Sequence, residues 1–180
     1  FRSVSLDSLG ESVTTEAEAQ ASAGIYHRLL DLIQERGLNA NVSVKLSQAG
    51  MEFDPALAEH VVGSMVEHAT AARSFVRIDM EGSPYTEATI AITERLAARF
   101  SGCVGTVLQA YLYRTEADAE RLLGQGIRIR LCKGAYKEGP EVAFAAKSDV
   151  DANYVKLMKR MVTFEKDGKG VFCGIATHDE

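Results

Sequence analysis

Repeated βα units on a parallel sheet are what this sequence predicts, and three observations predict it. Short apolar, β-branched runs alternate with longer stretches of helical period. Helix-start signals stand ahead of the long stretches, and glycines stand after several of them. Polar residues interrupt otherwise apolar strands toward their carboxyl ends, where parallel α/β folds open their binding crevice. The expected class is α/β: a partial (βα)8 TIM-like barrel of about five βα units plus a preceding strand and helix. A closed barrel of this kind takes about 250 residues, so a single domain over residues 1–180 is expected to lack its last units.

The elements follow in order. A first strand is expected at residues 3–6. Thr15, with Glu18 three residues on, forms a capping-box signature for a helix closed by Gly37, with Ala21, Ile25, Leu29, Leu30 and Ile33 on its apolar face. Residues 41–46 read as the next strand, and Asp54-Pro55 gives an N-cap and a first-turn proline to a helix running to about Arg73. Residues 75–80 form another strand, and Thr86 is expected to cap the helix carrying Ile90, Ile92 and Leu96. The strand at 104–109 leads to a helix opened by Thr115 and ended by Gly124 or Gly126. A strand at 127–131, a polar loop at 133–147, a helix at about 149–164 and a strand at 170–176 complete the pattern.

Composition excludes several classes of function. A net charge of −5, with Lys and Arg scattered, offers no basic field for a nucleic-acid backbone. Cys103, Cys132 and Cys173 lie far apart without CxxC spacing, so they are read as reduced, mostly buried thiols rather than zinc ligands or disulfides. No apolar run approaches the roughly 20 residues needed to span a bilayer. The chain opens on Phe1 rather than Met, so the natural start is expected upstream.

The informative constellation is Lys45 in NVSVK, Asp79 in FVRIDME, Gln109 in TVLQAY and Arg130 in IRIRLCKGAY. All four fall toward the carboxyl ends of different predicted strands, so their side chains are expected to serve one volume. A plainer reading, ion pairs that hold the strand ends together, remains open for each residue alone. Other motifs are weak. Gly124-Gln125-Gly126 lacks the third glycine of a dinucleotide fingerprint and precedes a strand. His60 and His68 are two turns apart, too far for a metal pair, and they and His27 read as surface or boundary residues; no metal is expected. No GxSxG or Cys/His signature supports nucleophilic hydrolysis. Lys156, Lys159 and Arg160 read as a solvated helix face, and Tyr111 and Tyr113 as rim packing or pocket lining.

Six segments in order, LGESVTTEAEA, VSVKLSQAG, VRIDMEGSP, VLQAYLYRTEADAERLL, RLCKGAYKEGPEVAF and the terminal ATHD, resemble the proline dehydrogenases. The resemblance covers nearly the whole chain, and RLxKGAY is its most specific part. It implies a distorted (βα)8 barrel that holds FAD, oxidises L-proline to Δ1-pyrroline-5-carboxylate and passes electrons to a quinone. It also implies a cytoplasmic protein in peripheral contact with the inner membrane, mitochondrial in a eukaryotic source. By the same resemblance Lys45 matches the substrate-site lysine, Asp79 the active-site aspartate, and Arg130 the arginine beside the flavin's reactive nitrogen. Tyr136 matches a tyrosine near the proline ring. Met80, Gln109, Lys133, Gly134 and Ala135 match flavin-contacting positions, as do Thr177 and His178.

Physical chemistry accommodates these roles. A guanidinium at Arg130 favours a ring that gains electrons, and Lys45 and Asp79 suit the two charges of a zwitterion. Relatives carry a paired-arginine motif on a last helix, which this sequence is expected to lack, at a cost in substrate affinity. Two other classes stay open: a catalytically inactive fragment or binding module of the same fold, and a barrel lyase using Lys45 as a Schiff base, which borohydride trapping would reveal.

Overall fold

The computed structural model describes residues 3–10, 12–164 and 171–179. In chain order the elements are β1 (Val4–Asp7), α1 (Glu16–Glu35), β2 (Ala40–Val44), α2 (Pro55–Ala71), β3 (Val76–Ile78) and α3 (Thr86–Arg99). Then follow β4 (Val104–Gln109), α4 (Thr115–Gly124), β5 (Arg128–Cys132), α5 (Lys147–Phe164) and β6 (Cys173–Ile175), with single 3₁₀ turns at Leu46–Ala49 and Ser83–Tyr85. This is the alternation expected of consecutive units of a (βα)8 barrel. Two compact units divide the chain: Phe1–Asp79 with Ala88–Gly105, and Met80–Glu87 with Thr106–Glu180.

In the first unit β1 pairs parallel with β2, Asp7 opposite Ser43, and β2 pairs parallel with β3, Val44 opposite Ile78. The Val76 amide donates to Cys103 O at 2.9 Å, just ahead of β4. Because side chains alternate across a strand, each strand has two characters. Val42, Val44, Val76 and Ile78 are fully buried, as are Tyr26 and Leu30 of α1 and Val62, Met65 and Val66 of α2. The opposite face carries Ser5, Asp7, Asn41, Ser43, Lys45, Arg77 and Asp79, bound sideways to one another: Ser5 Oγ donates to Asn41 Oδ1 at 2.7 Å and lies 3.0 Å from Ser43 Oγ. Arg77 Nη1 donates to Ser5 Oγ at 3.2 Å and to Asn41 Oδ1 at 3.3 Å.

The expected capping box is present: Thr15 accepts from the Glu18 amide, and Glu18 accepts from the Thr15 amide. Asp54 caps α2 by accepting from the amides of Ala56 and Leu57, with Pro55 in the first turn. Two expectations are corrected. The buried stripe of α1 is Ala19, Ala23, Tyr26, Leu30 and Ile33, while Ile25 is half exposed and Ala21 exposed. The stripe turns by about one residue because the Tyr26 hydroxyl finds polar partners inside, described below. Thr86 does not cap α3: the turn at Ser83–Tyr85 runs straight into the helix, so Thr86 is already helical (φ −55°, ψ −49°) and lacks the extended backbone of an N-cap.

In the second unit the bond pattern continues past β4, the amides of Ala110 and Tyr111 donating to Cys132 O and Lys133 O, both at 2.8 Å. β5 pairs parallel with β6, Arg130 opposite Gly174. The expected strand start at Gly170 lies outside the described residues. The polar loop after β5 is folded onto the chain after β4: the Tyr113 amide donates to Val142 O at 3.0 Å and the Phe144 amide to Tyr111 O at 2.8 Å. The Tyr113 and Phe144 rings meet edge to face with centroids 4.7 Å apart. Helices α4 and α5 are tied by Lys156 to Glu116 at 2.6 Å and by Arg160 to Glu120, so these two exposed cations of α5 are partnered. The three cysteines are free but half-buried rather than buried.

Candidate active site

The polar face of the first unit ends in a small network. Lys45 follows the last residue of β2, and its Nζ donates to Asp7 Oδ2 at 3.3 Å. Asp79 occupies the same position after β3, its amide donating to Val44 O at 2.9 Å. The other oxygen of Asp7 accepts from the Tyr26 hydroxyl at 3.2 Å, and that hydroxyl lies equally close to Gln48 Oε1. Gln48 Nε2 donates to Ser8 O at 2.9 Å and Gly10 O at 3.1 Å, which pins the loop after β1. Burial first, and the Asp7 charge second, push the Tyr26 phenol well above its ordinary value, so it stays a donor. Asp7, Tyr26 and Gln48 were not among the residues expected from sequence. Polar residues at every second position of VSLD, NVSVK and VRID would have pointed to Asp7; nothing local marks Tyr26 or Gln48 as its partners.

In the second unit the residues gather at the carboxyl ends of β4, β5 and β6. Gln109, the last residue of β4, is buried with both ends of its amide engaged: Nε2 donates to Glu81 O and Oε1 accepts from the Ala135 amide, each at 3.0 Å. The Thr115 hydroxyl donates to Gln109 O at 2.5 Å and holds the strand end from the helix side. Met80 is buried just ahead of Glu81. Arg130 lies in the middle of β5 rather than at its carboxyl end, because the bonding with the chain after β4 extends that strand to Cys132. Arg130 is half-buried between Ile129 and Leu131, which face the opposite way and are buried.

The turn after β5 exposes Gly134, Ala135 and Tyr136. Gly134 has φ +140°, and a Cβ there would come within 2.5 Å of the Tyr111 ring. One side of the turn is thus closed by Tyr111 and the other is open. Burial first, then the Glu138 carboxylate, push the Tyr111 phenol up to about 12. Glu138 in turn accepts from the Ser83 amide at 2.7 Å and the Ser83 hydroxyl at 2.5 Å, joining this loop to the one after β3. Lys133 turns aside: its Nζ pairs with Asp151 at 2.5 Å and with Asp179, and lies over the Tyr154 ring at 5.8 Å. The hydrogen bonds that Lys133 donates to Asp151 and Asp179 hold it above its ordinary value, while Lys133 and Lys147 hold Asp151 below its own. Thr177 and His178 are exposed beyond β6, where the Ala176 amide donates to Leu131 O at 2.9 Å.

Parallel βα units with polar residues at or just past successive strand ends are the pattern of (βα)-barrel proteins, in which sites open at the carboxyl side of the strands. The proline dehydrogenase family profile matches residues 1–180, and the chain belongs to that family. It is 36% identical over 178 residues to proline dehydrogenase 2 of Bacillus subtilis (strain 168), covering 99% of this chain and 57% of that protein. It is 33% identical to the proline dehydrogenase of Deinococcus radiodurans, covering 97% of this chain and 56% of that one. The chain thus spans just over half the length of these relatives. Among solved structures, proline utilization A from Bdellovibrio bacteriovorus, inactivated by N-propargylglycine, superposes with a TM-score of 0.84 at 22% identity over 98% of this chain and 22% of that one. A Bradyrhizobium japonicum proline utilization A mutant gives 0.86 at 23% identity over 97% of this chain and 21% of that one. These two likenesses show the fold.

Membership of the family implies use of FAD. The second unit fits such a group: the open side of the Gly134–Tyr136 turn leaves backbone accessible where a flat ring system needs close approach, and Arg130 brings a fixed positive charge on β5.

Proposed function

We propose that the complete protein is a flavin-dependent oxidoreductase that converts L-proline to Δ1-pyrroline-5-carboxylate and passes the electrons to a quinone at a membrane surface. Family membership over the whole chain is the observation that carries this reading. FAD, when bound, would supply the hydride acceptor. The chain's own residues do the rest. Arg130 stabilises negative charge that develops on the acceptor. Lys45 anchors the substrate carboxylate through its ammonium. Asp79 orients the substrate amine and takes up its proton as the carbon–hydrogen bond breaks. Tyr136, half exposed on the turn, covers the ring face of the substrate, and the backbone of Lys133 to Ala135 bears the cofactor. Met80, Gln109, Thr177 and His178 complete the cofactor contacts, Gln109 by fixing the Ala135 amide as well. The pairing of Lys45 with Asp7 favours an anion anchor over a Schiff-base nucleophile, because an ammonium held by a carboxylate has no lone pair to attack with.

The test is a visible spectrum of the full-length protein with FAD, followed without oxygen on addition of L-proline. A bound flavin whose absorption bleaches with proline supports the reading; a bound flavin that does not bleach, or no binding, rejects it.

A further inference from the structure

Asp7 has no role in the reaction as set out above, yet its carboxylate is held more completely than a surface ion pair requires. One oxygen accepts from Tyr26, which is fully buried on α1, and the other from Lys45. Tyr26 is itself fixed. Its hydroxyl accepts from the Ser8 amide at 3.4 Å and faces Gln48 Oε1, whose amide cannot flip because Nε2 serves two carbonyls, Ser8 O and Gly10 O. Gly10 belongs to the same construction, since a Cβ at that position would come within 2.9 Å of Gln48 Nε2. The loop after β1 is also fastened at Val13, whose amide donates to Ser47 O at 3.2 Å. A buried phenol, a locked amide and a strand-end carboxylate therefore form a rigid line that terminates at the Lys45 ammonium.

A lysine side chain has four rotatable bonds and loses much entropy when ordered, so a free ammonium is a poor anchor for a small substrate. A neighbouring carboxylate that is itself immobile removes most of that loss before the substrate arrives. We infer that Asp7, held by Tyr26 and Gln48, is a positioning residue that sets the Lys45 ammonium in place for the substrate carboxylate. This rests on the proline-oxidising reading for the identity of the substrate, but the ordering of Lys45 by Asp7 and Tyr26 does not depend on it.

The experiment compares the full-length protein with Asp7→Asn, Tyr26→Phe and Asp7→Glu, using two readouts. The first is the rate at which an amine-reactive acylating reagent modifies Lys45, followed by peptide mass spectrometry against the other lysines as internal standards. The second is the separation of KM from kcat for L-proline. Asp7→Asn is expected to speed Lys45 acylation and to raise KM about tenfold, with kcat changed about twofold or less. Tyr26→Phe, which removes one hydroxyl from a filled site, is expected to act in the same direction by about threefold, and Asp7→Glu to recover part of the loss. Unchanged Lys45 acylation in both Asp7→Asn and Tyr26→Phe overturns the inference, as does faster acylation with an unmoved KM. If the wild-type protein does not turn over proline while acylation responds as expected, the ordering of Lys45 stands and the functional reading falls.

Discussion

The two units hold their candidate site residues by opposite means. In the first, side chains hold side chains: Tyr26 and Gln48 fix Asp7, and Asp7 fixes Lys45. In the second, the main chain is what is held: Gln109 grips Glu81 O and the Ala135 amide, and the Tyr111 ring occupies the space where Gly134 would otherwise carry a side chain. The difference fits the roles proposed for the two regions. A small zwitterion is recognised by charges at the tips of side chains, whereas a broad ring system is met by backbone that must come close. Sensitivity to substitution should therefore invert between them. The first region should fail when a partner is removed, and the second when an atom is added.

Adding one carbon at Gly134 is the strongest way to break this contrast. Gly134→Ala places a Cβ within 2.5 Å of the Tyr111 ring at φ +140°, where L-residues are strained. A loss of about 3 kcal/mol is expected in urea unfolding, with flavin affinity lost alongside. The double variant with Tyr111→Ala should recover the steric share but not the backbone share. Full recovery would show that ring contact alone accounts for the glycine. A next, slightly smaller effect concerns chemistry rather than folding. Arg130→Met keeps an apolar stem of similar length on β5, so the unfolding midpoint should hardly move. Anaerobic reduction by proline should slow on the order of a hundredfold. Unchanged reduction kinetics would remove Arg130 from the proposed role.

Gln109→Leu tests the main-chain clamp itself. It deprives Glu81 O of a donor and the Ala135 amide of an acceptor in a buried setting, and should cost about 2 kcal/mol. Gln109→Glu sharpens the comparison, because a carboxylate still accepts from Ala135 but repels Glu81 O. Hydrogen exchange at the Ala135 amide should accelerate in the Leu variant and stay slow in the Glu variant. Fast exchange in both would mean that the turn is not held through this bond.

How much of this was legible in the sequence depended on the distance between partners. The helix starts at Thr15 and Asp54 were readable because their capping partners lie within three residues. The strand-end positions of Lys45, Asp79 and Gln109 were readable because a polar residue closing an apolar run is itself a local pattern. The rest was decided elsewhere in the chain. Tyr26 rather than Ile25 faces inward because Asp7 and Gln48, 19 and 22 residues away, are there to receive its hydroxyl. Arg130 is mid-strand because bonding with the chain after β4 lengthens β5, which no property of IRIRLC announces. The Lys133 ammonium is engaged by Asp151 and Asp179, 18 and 46 residues on, and no local pattern announces those partners.

The smallest expected effect lies away from both clusters, where α1 meets α2. His27 and His68 stack with ring centroids 5.1 Å apart; His27 Nε2 is 3.2 Å from Ser64 Oγ, and His68 Nε2 is 2.8 Å from Asp31 Oδ1. Partial burial first, and the nearby His68 second, hold His27 below its ordinary value, with Asp31 opposing. A group whose folded value is depressed takes up its proton more readily in the unfolded chain, so it favours unfolding as the pH falls. Stability from this group should be intact above the ordinary histidine value of 6.5 and decline as the pH drops through the lower folded value. Solvent screening at this partly exposed seam keeps the effect below about 1 kcal/mol. Urea midpoints at pH 8 and pH 5 should therefore differ more in the wild type than in His27→Gln, which keeps a polar partner for Ser64 but cannot be protonated. An equal difference in the two proteins would place the pH dependence on other groups, and the stacked pair would then be packing alone.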